Sequence, residues 1–435
     1  MWFCEAFTCY SQTVTGKDAS SILTSGFVHT VKDPLWGNIP MRSEMRGLLS
    51  LPDVEKLSRI KQNGPSYRIY PGAVHTRLSH SIGVYHIARR MLLSAVSECT
   101  SLPLTETGIN SFLTACLLHD IGHFPYAHSL KELSPKTHEE IAAELIMQNE
   151  ELNAGIRKTG ADPFKTAAII DTELPSDDAE ISFYRSVLSG TLDPDKLDYL
   201  SRDAFFAGVP YGKQDTDFII SSISYGNGSI VLDEEALSLV EQVLFSKYMM
   251  YRSLYWHKGV RSATCMIKKA IISALDDGII DFSDLYLKDD DEFRHIADRY
   301  PSYAPFSLIE KAEHGILFER KAMKNHDPDG CLERKADDIR KRKEAENEIY
   351  ELLKPGYSSL KPYEVIIDIP EPISFETRIM IRLSDGRIRE TENDEIIFSQ
   401  AGKLFSRNLR KTALYLPPYI ANEDAERAFM EADRG

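Results

Sequence analysis

Seven of the twelve histidines in this 435-residue chain, His75, His80, His86, His119, His123, His128 and His138, fall within 64 residues, where an even spread would place about two. One buried histidine needs only a hydrogen-bond partner to sit in a core. Seven together point to chemistry, because imidazole exchanges protons near neutral pH and ligates transition metals. His119 and Asp120 are adjacent at the end of the apolar run Ile109 to Leu118. Neighbouring side chains diverge by about 100° on a regular helix, so both reach one ion only near a helix end, and Gly122 is expected to supply the break. Imidazole nitrogen with carboxylate oxygen suits a divalent metal ion, Mn, Fe, Ni or Zn and less well Mg, and leaves the identity open. Two further ligands must come from elsewhere, and the run from Asp193 to Asp203 is the candidate. On a helix Asp195, Asp198, Tyr199 and Arg202 share one face. A solvated charged face would show the same spacing.

These residues need helices to hold them. Apolar residues recur at three- and four-residue spacing from Met45 to Ile60 and from His80 to Val96. A helix from His138 to Gln148 follows Thr137, a natural N-cap. Further helical periods lie at Asp195 to Phe206, Leu237 to Tyr255 and Val260 to Leu275, with a hairpin edge expected at Gly226 to Leu232. Residues 1–27 read as a loosely ordered arm, 28–330 as a helical core and 331–435 as a smaller α/β lobe. In that last part, mixed charge from Arg334 to Leu353 suggests a solvated helix, and β-branched runs follow Pro355. The fold class expected is mainly α with a C-terminal α/β lobe.

Composition narrows the partners. A formal charge of −15 disfavours non-specific attraction to nucleic acid or anionic lipid, so any phosphate-binding charge must be local. Six scattered cysteines with no C-x-x-C pair suggest neither a zinc ribbon nor a disulfide framework. With no basic leader and no apolar run of 18 residues, the expectation is a cytoplasmic protein without membrane or nucleic-acid partners.

The ordered set His80, His119, Asp120 and Asp195 resembles the H…HD…D ligand set of the HD superfamily of phosphohydrolases. The surrounding words, Tyr70 to Val84, Leu118 to His128, His138 with Glu139, and Asp193 to Asp203, are similar to its deoxynucleoside triphosphate (dNTP) triphosphohydrolase branch. The likeness extends through Asp33 to Ile39, Ile60 to Gly64 and Tyr255 to Lys258, is dense over residues 28–270, and loosens toward Ala401 to Phe405. It implies a helical HD core in which His80, His119, Asp120 and Asp195 hold the metal. His123, His128 and His138 would exchange protons beside the α-phosphorus, with Glu139 orienting one of them. Arg77, Lys196, Tyr199 and Lys247 would hold the triphosphate tail, Gln62 and Asp203 would read the 3′-hydroxyl, and Tyr255 would pack on the deoxyribose. The products implied are nucleoside and triphosphate, and the assembly a homo-oligomer, dimer or tetramer.

Departures from the pattern mark where this chain has its own character. Lys131 stands where the family commonly has an acidic residue, with Glu132 one position later. Tyr251 and Lys247 replace a histidine and an arginine of the vertebrate enzyme. The residues that read an activating guanine nucleotide in many relatives align with Ser50, Glu55 and Ser58, which implies weak or missing activation by GTP. Two competing readings remain: an HD phosphohydrolase acting on another nucleotide or phosphoester, and a non-catalytic dNTP-binding sensor.

Overall fold

In the computed structural model the described residues are 13, 15–97, 104–126, 130, 134–392, 395–396, 402 and 407–434. His128, Lys131, Glu132 and most of the 401–405 word lie outside them. Helix Arg77–Ser97 is the axis of the fold. It is buried on nearly every face, with Val84, Ile87, Ala88, Met91 and Leu92 fully enclosed, as expected of a helix apolar all round. Helices Glu106–Leu118, Pro194–Ala207 and Gly16–Thr24 pack around it. Contact with the Pro194–Ala207 helix is close because residue 83 is glycine. A Cβ there would fall 1.9 Å from Asp198 Oδ1 and 2.5 Å from Arg202 Nη2.

A second apolar cluster gathers on helix Lys258–Asp276, and a third lies under the C-terminal helix Asn422–Arg434. Among the described residues there are three small sheets. His29–Asp33 and Gly37–Met41 form an antiparallel hairpin. Ile223–Gly226, Ser229–Asp233, Met380–Arg382 and Ile388–Glu390 form a four-stranded sheet in that order, whose middle pair is parallel with Val231 opposite Met380. Glu319–Asn325 and Ile366–Asp368 flank Lys411–Leu416 in an antiparallel sheet. Among the described residues no helix is long and apolar enough to cross a membrane.

The mainly α architecture with a smaller C-terminal α/β part matches the sequence expectation, and several details differ from it. The N-terminal arm contains a docked helix, Gly16–Thr24, whose Ala19 and Leu23 are buried and whose Thr15 and Asp18 form a capping box. The helix expected from Met45 to Ile60 is three short pieces, Ser43–Leu48, Pro52–Glu55 and a 3₁₀ turn Lys56–Arg59. Pro52 can open a helix but not continue one. The 226–232 hairpin is not an edge on both sides, because Ser229–Asp233 also pairs with Met380–Arg382. A cut at residue 331 would divide both larger sheets, since Glu319–Asn325 lies before it and Met380–Arg382 joins a strand of the helical part. The mixed-charge stretch forms helices Cys331–Ala336 and Arg342–Leu353, with Glu333, Arg342 and Glu346 buried rather than solvated.

Candidate functional site

Helix Glu106–Leu118 ends so that His119 is its C-cap residue. The helix therefore stops before Gly122, which has another task. A Cβ at Gly122 would lie 2.0 Å from the His138 carbonyl and 2.6 Å from the Ala142 nitrogen, so glycine lets helix His138–Gln148 approach the turn. At this same end the helix begins on Thr137, whose hydroxyl accepts from the Glu140 backbone nitrogen (3.1 Å) while Glu140 accepts from the Thr137 backbone nitrogen. The N-cap read from sequence is in place, and His138 is fixed in the first turn.

His80, His119 and Asp195 each offer one atom to a common point, all within 4.8 Å of one another. His80 Nε2 lies 2.9 Å from Asp195 Oδ1, and His119 Nε2 lies 3.8 Å from the same oxygen and 3.4 Å from Asp120 Oδ1. The two histidines present the same nitrogen for a physical reason. His119 Nδ1 donates to the Cys116 carbonyl (2.9 Å) and His80 Nδ1 to Asp198 Oδ2 (2.8 Å). Each ring is thereby held in the tautomer that turns a bare Nε2 inward, as metal-ligating imidazoles generally are. His119 Nε2 is buried and has no hydrogen-bond partner among the described residues. Such an orphaned acceptor, facing two carboxylates and a second imidazole, fits a divalent cation. Burial lowers the His80 pKa, but hydrogen bonds to Asp195 and Asp198 outweigh it and raise it to about 10, so at Nε2 a proton shared with Asp195 and a divalent cation compete for the same position.

Asp198 is completely buried and accepts four hydrogen bonds, from His80 Nδ1, Arg202 Nε (2.8 Å), Arg202 Nη2 (2.9 Å) and Trp36 Nε1 (2.5 Å). Arg202, also completely buried, spends its remaining nitrogen on Asp33 (2.9 Å). Burial alone would raise the Asp198 pKa; the Arg202 charge, then the hydrogen bonds of His80 and Arg202, hold it well below the usual carboxylate range. Asp198 and Arg202 share the helix face with Asp195 that sequence spacing predicts. They form not a solvated stripe but a support behind His80.

Beside the His80, His119 and Asp195 group, Asp120 Oδ2 accepts from Arg77 Nη1 (2.8 Å) and Asp120 Oδ1 lies 3.1 Å from His123 Nε2. The His123 and His138 rings stack at 4.0 Å, and His138 Nε2 lies 3.1 Å from Glu139 Oε1. Burial would raise the Asp120 pKa, but Arg77, His119 and His123 hold it well below the ordinary range. His123 is pushed well below its ordinary value by burial, then by the Arg77 and His138 charges. Lys56, which sequence reading did not single out, donates to the carbonyls of Ile121 (3.1 Å) and His123 (3.3 Å) and fixes this turn.

His80, His119, Asp120, His123, His138 and Asp195 open into one cleft of about 450 Å³, within the range of pockets that hold nucleotide-sized ligands. Its lining brings together Gln62, Arg77, His80, His119, Asp120, His123, His138, Glu139, Asp195, Tyr199, Asp203 and Tyr255. Asp203 is held by His75 Nε2 (2.7 Å) and Tyr255 OH (2.5 Å). Lys196 and Lys247 are not among the lining residues. Lys196 Nζ is bound by Asp193, Glu376 and the Gly190 carbonyl, and Lys247 Nζ donates to the Ser374 carbonyl. Tyr126, Arg261, Lys268 and Glu371 line the cleft without having been foreseen.

Residues 77–168 match the HD domain and residues 214–424 the HD associated region. The chain is 32% identical over 248 residues to YwfO, an uncharacterized protein of Bacillus subtilis, covering 55% of this chain and 54% of that one. It is 25% identical over 276 residues to the deoxynucleoside triphosphate triphosphohydrolase SAMHD1 of Danio rerio, covering 56% of this chain and 44% of that protein. The chain spans about half the length of the curated relatives it matches. A crystal structure of a Bacteroides thetaiotaomicron phosphohydrolase superposes with a TM-score of 0.68 at 22% identity, covering 89% of this chain and 99% of that one, a likeness of fold.

Proposed function

We propose that this chain, which belongs to the HD superfamily, is a metal-dependent phosphohydrolase that cleaves dNTPs to deoxynucleoside and triphosphate. One observation carries the reading: His80, His119 and Asp195 converge on one point, and Asp120 bridges from His119 (3.4 Å) to His123 (3.1 Å) of the stacked His123 and His138 pair, all in a nucleotide-sized cleft. A divalent ion held by His80, His119, Asp120 and Asp195 would supply Lewis-acid polarisation of a phosphoryl oxygen and of an attacking water.

The protein's own groups do the rest. In the reaction a water oxygen bonds to the α-phosphorus, the bond from that phosphorus to the 5′ oxygen breaks, and a proton must reach the leaving oxygen. His138, less buried than His123 and braced by Glu139 at 3.1 Å, is the assigned proton donor. His123 remains neutral beside it as partner and proton acceptor, with His128 assigned to the same task. Arg77 already neutralises Asp120 and has further guanidinium donors to offer phosphate. Tyr199 joins it in holding the phosphates. Gln62 and Asp203 read the 3′-hydroxyl, and Tyr255, tied to Asp203, sets the floor under the deoxyribose where a 2′-hydroxyl would intrude. The dNTP assignment draws on the motif resemblance and on the activity for which SAMHD1 is named.

The test is product analysis. Each dNTP and each rNTP is incubated with the protein and Mn, Mg, Fe, Co, Ni or Zn, alongside His119→Ala/Asp120→Ala. Inorganic triphosphate released from dNTPs alone, and by the intact protein alone, is the expected result. Release of a different product, or silence across all substrates and metals, refutes the assignment; dNTP binding without turnover would make the protein a sensor.

A further inference from the structure

A strap of chain from Glu371 to Glu376 runs past the cleft between two anchors. At one end Arg410 Nε donates to the Pro370 carbonyl (2.6 Å), and at the other Thr191 Oγ1 donates to the Arg378 carbonyl (2.6 Å). Between them there is no helix or strand. Glu371 and Pro372 line the cleft and Ile373 is buried. The strap then engages two lysines: the Ser374 carbonyl accepts from Lys247 Nζ at 2.8 Å, and Glu376 Oε2 from Lys196 Nζ at 2.7 Å.

Lys196 follows Asp195 directly, and its charge, like that of Glu371, is felt by Tyr251 in the cleft wall. All three hydrogens of its ammonium are committed, to Glu376, to Asp193 Oδ2 (2.7 Å) and to the Gly190 carbonyl (2.8 Å). The two carboxylates are not equivalent. The Asp193 side chain is 4% exposed and caps its own helix, whereas that of Glu376 is 48% exposed on a segment without regular structure. Glu376 is the partner that can leave, since an exposed ion pair is weak. A carboxylate and a phosphate oxygen ask the same charge-assisted hydrogen bond of an ammonium.

We infer that Glu376 is a specificity-determining residue: its carboxylate competes with an extended phosphate chain for Lys196, so that the strap selects ligands by the length and charge of that chain. The inference rests on the dNTP reading, which gives the cleft a substrate with such a tail. A single phosphate held at the metal ligands would not need Lys196. A triphosphate, carrying several charges, displaces Glu376 and carries its side chain outward.

The experiment measures binding rather than turnover. The full-length, metal-loaded protein and Glu376→Gln are titrated calorimetrically with inorganic tripolyphosphate and with inorganic phosphate. Tripolyphosphate binding is expected to tighten roughly two- to fivefold in Glu376→Gln, the upper part of the range for removal of a competing partly exposed ion pair, with phosphate binding unchanged. In Lys196→Ala the Glu376→Gln change is expected to have no effect. Equal tripolyphosphate affinity in wild type and Glu376→Gln overturns the inference. So does an equal gain for phosphate, which would mark a general change of potential, and so does a gain that survives Lys196→Ala. A chain that tightens on tripolyphosphate as expected yet hydrolyses no dNTP keeps the strap and sinks the substrate reading.

Discussion

Replacing Asp198 by asparagine should uncouple two properties that the native residue joins. Asparagine keeps the shape but not the charge, and its amide can serve as acceptor through one oxygen, where Asp198 accepts from His80, Trp36 and twice from Arg202. The Arg202 guanidinium, completely buried, would then be balanced by Asp33 alone. Breaking a buried pair from one side costs about 3–5 kcal/mol, because the remaining charge is stranded. The second effect reaches the metal ligands. His80 loses the carboxylate that fixes its Nδ1 proton, and loss of such a partner weakens metal binding about 10–100-fold, or about 1.4–2.7 kcal/mol. Asp198→Asn/Arg202→Met separates the two. The stranded charge is gone, and Asp33 keeps backbone donors in Leu35 and Trp36. Denaturant unfolding of the metal-free proteins should show the double variant recovering at least about 2 kcal/mol over the single one. Competition with a chromogenic chelator should show both variants binding metal equally weakly. Native metal affinity in the double variant would mean that Asp198 acts only through stability, and native affinity in the single one would remove its role altogether.

Three further expectations follow from particular contacts. His86 is 8% exposed beside Trp36, and burial, then Arg89 and Arg90, lower its pKa to about 4. Its folded pKa lies below the unfolded value near 6.5, so the unfolded chain binds the proton first and stability falls as pH drops through 6.5 toward 4. At pH 5 this amounts to about 2 kcal/mol relative to pH 7.5, and His86→Phe should remove that share of the slope in paired unfolding curves; an unchanged slope refutes it. Gly122→Ala meets backbone atoms at 2.0 and 2.6 Å that have no room to yield. It should cost about 3 kcal/mol and abolish activity by separating His123 from His138, whereas Gly47→Ala, with open space around its Cβ, should retain activity. GTP should not stimulate dATP hydrolysis, since Ser50, Glu55 and Ser58 offer no guanidinium or amide to guanine; stimulation that disappears in Glu55→Ala would refute this.

What could be read from sequence was the chemistry that is local. His119 and Asp120 were expected at a helix end, and they are there, although the end is His119 itself rather than Gly122; His119 groups with His80 and Asp195, and Asp120 with His123 and His138. Thr137 as N-cap and the shared face of Asp195, Asp198 and Arg202 follow from rules spanning one or two helical turns. The docked N-terminal helix carried an equally local sign, Thr15 three residues before Asp18, which the Ser- and Thr-rich composition concealed. Pro52 likewise announced a break that the apolar period from Met45 to Ile60 outweighed.

The tail-binding lysines required information of another kind. Lys196 lies on the Asp195 helix, yet its partner Glu376 lies far along the chain, just before the strand Met380–Arg382, whose parallel pairing no local pattern announces. A lysine read in isolation looks like a free cation awaiting phosphate, and whether it is free depends on which distant segment folds over it. The same reasoning separates the two halves of the proposed site. Metal ligands are fixed by hydrogen bonds within their own helices and the one they pack on, so they remain legible and are expected to vary little in geometry. The cleft is lined on another side by Glu371 and Pro372 of the strap, and on the proposed reading the choice of substrate can change there by altering Glu376 without disturbing His80, His119, Asp120 or Asp195.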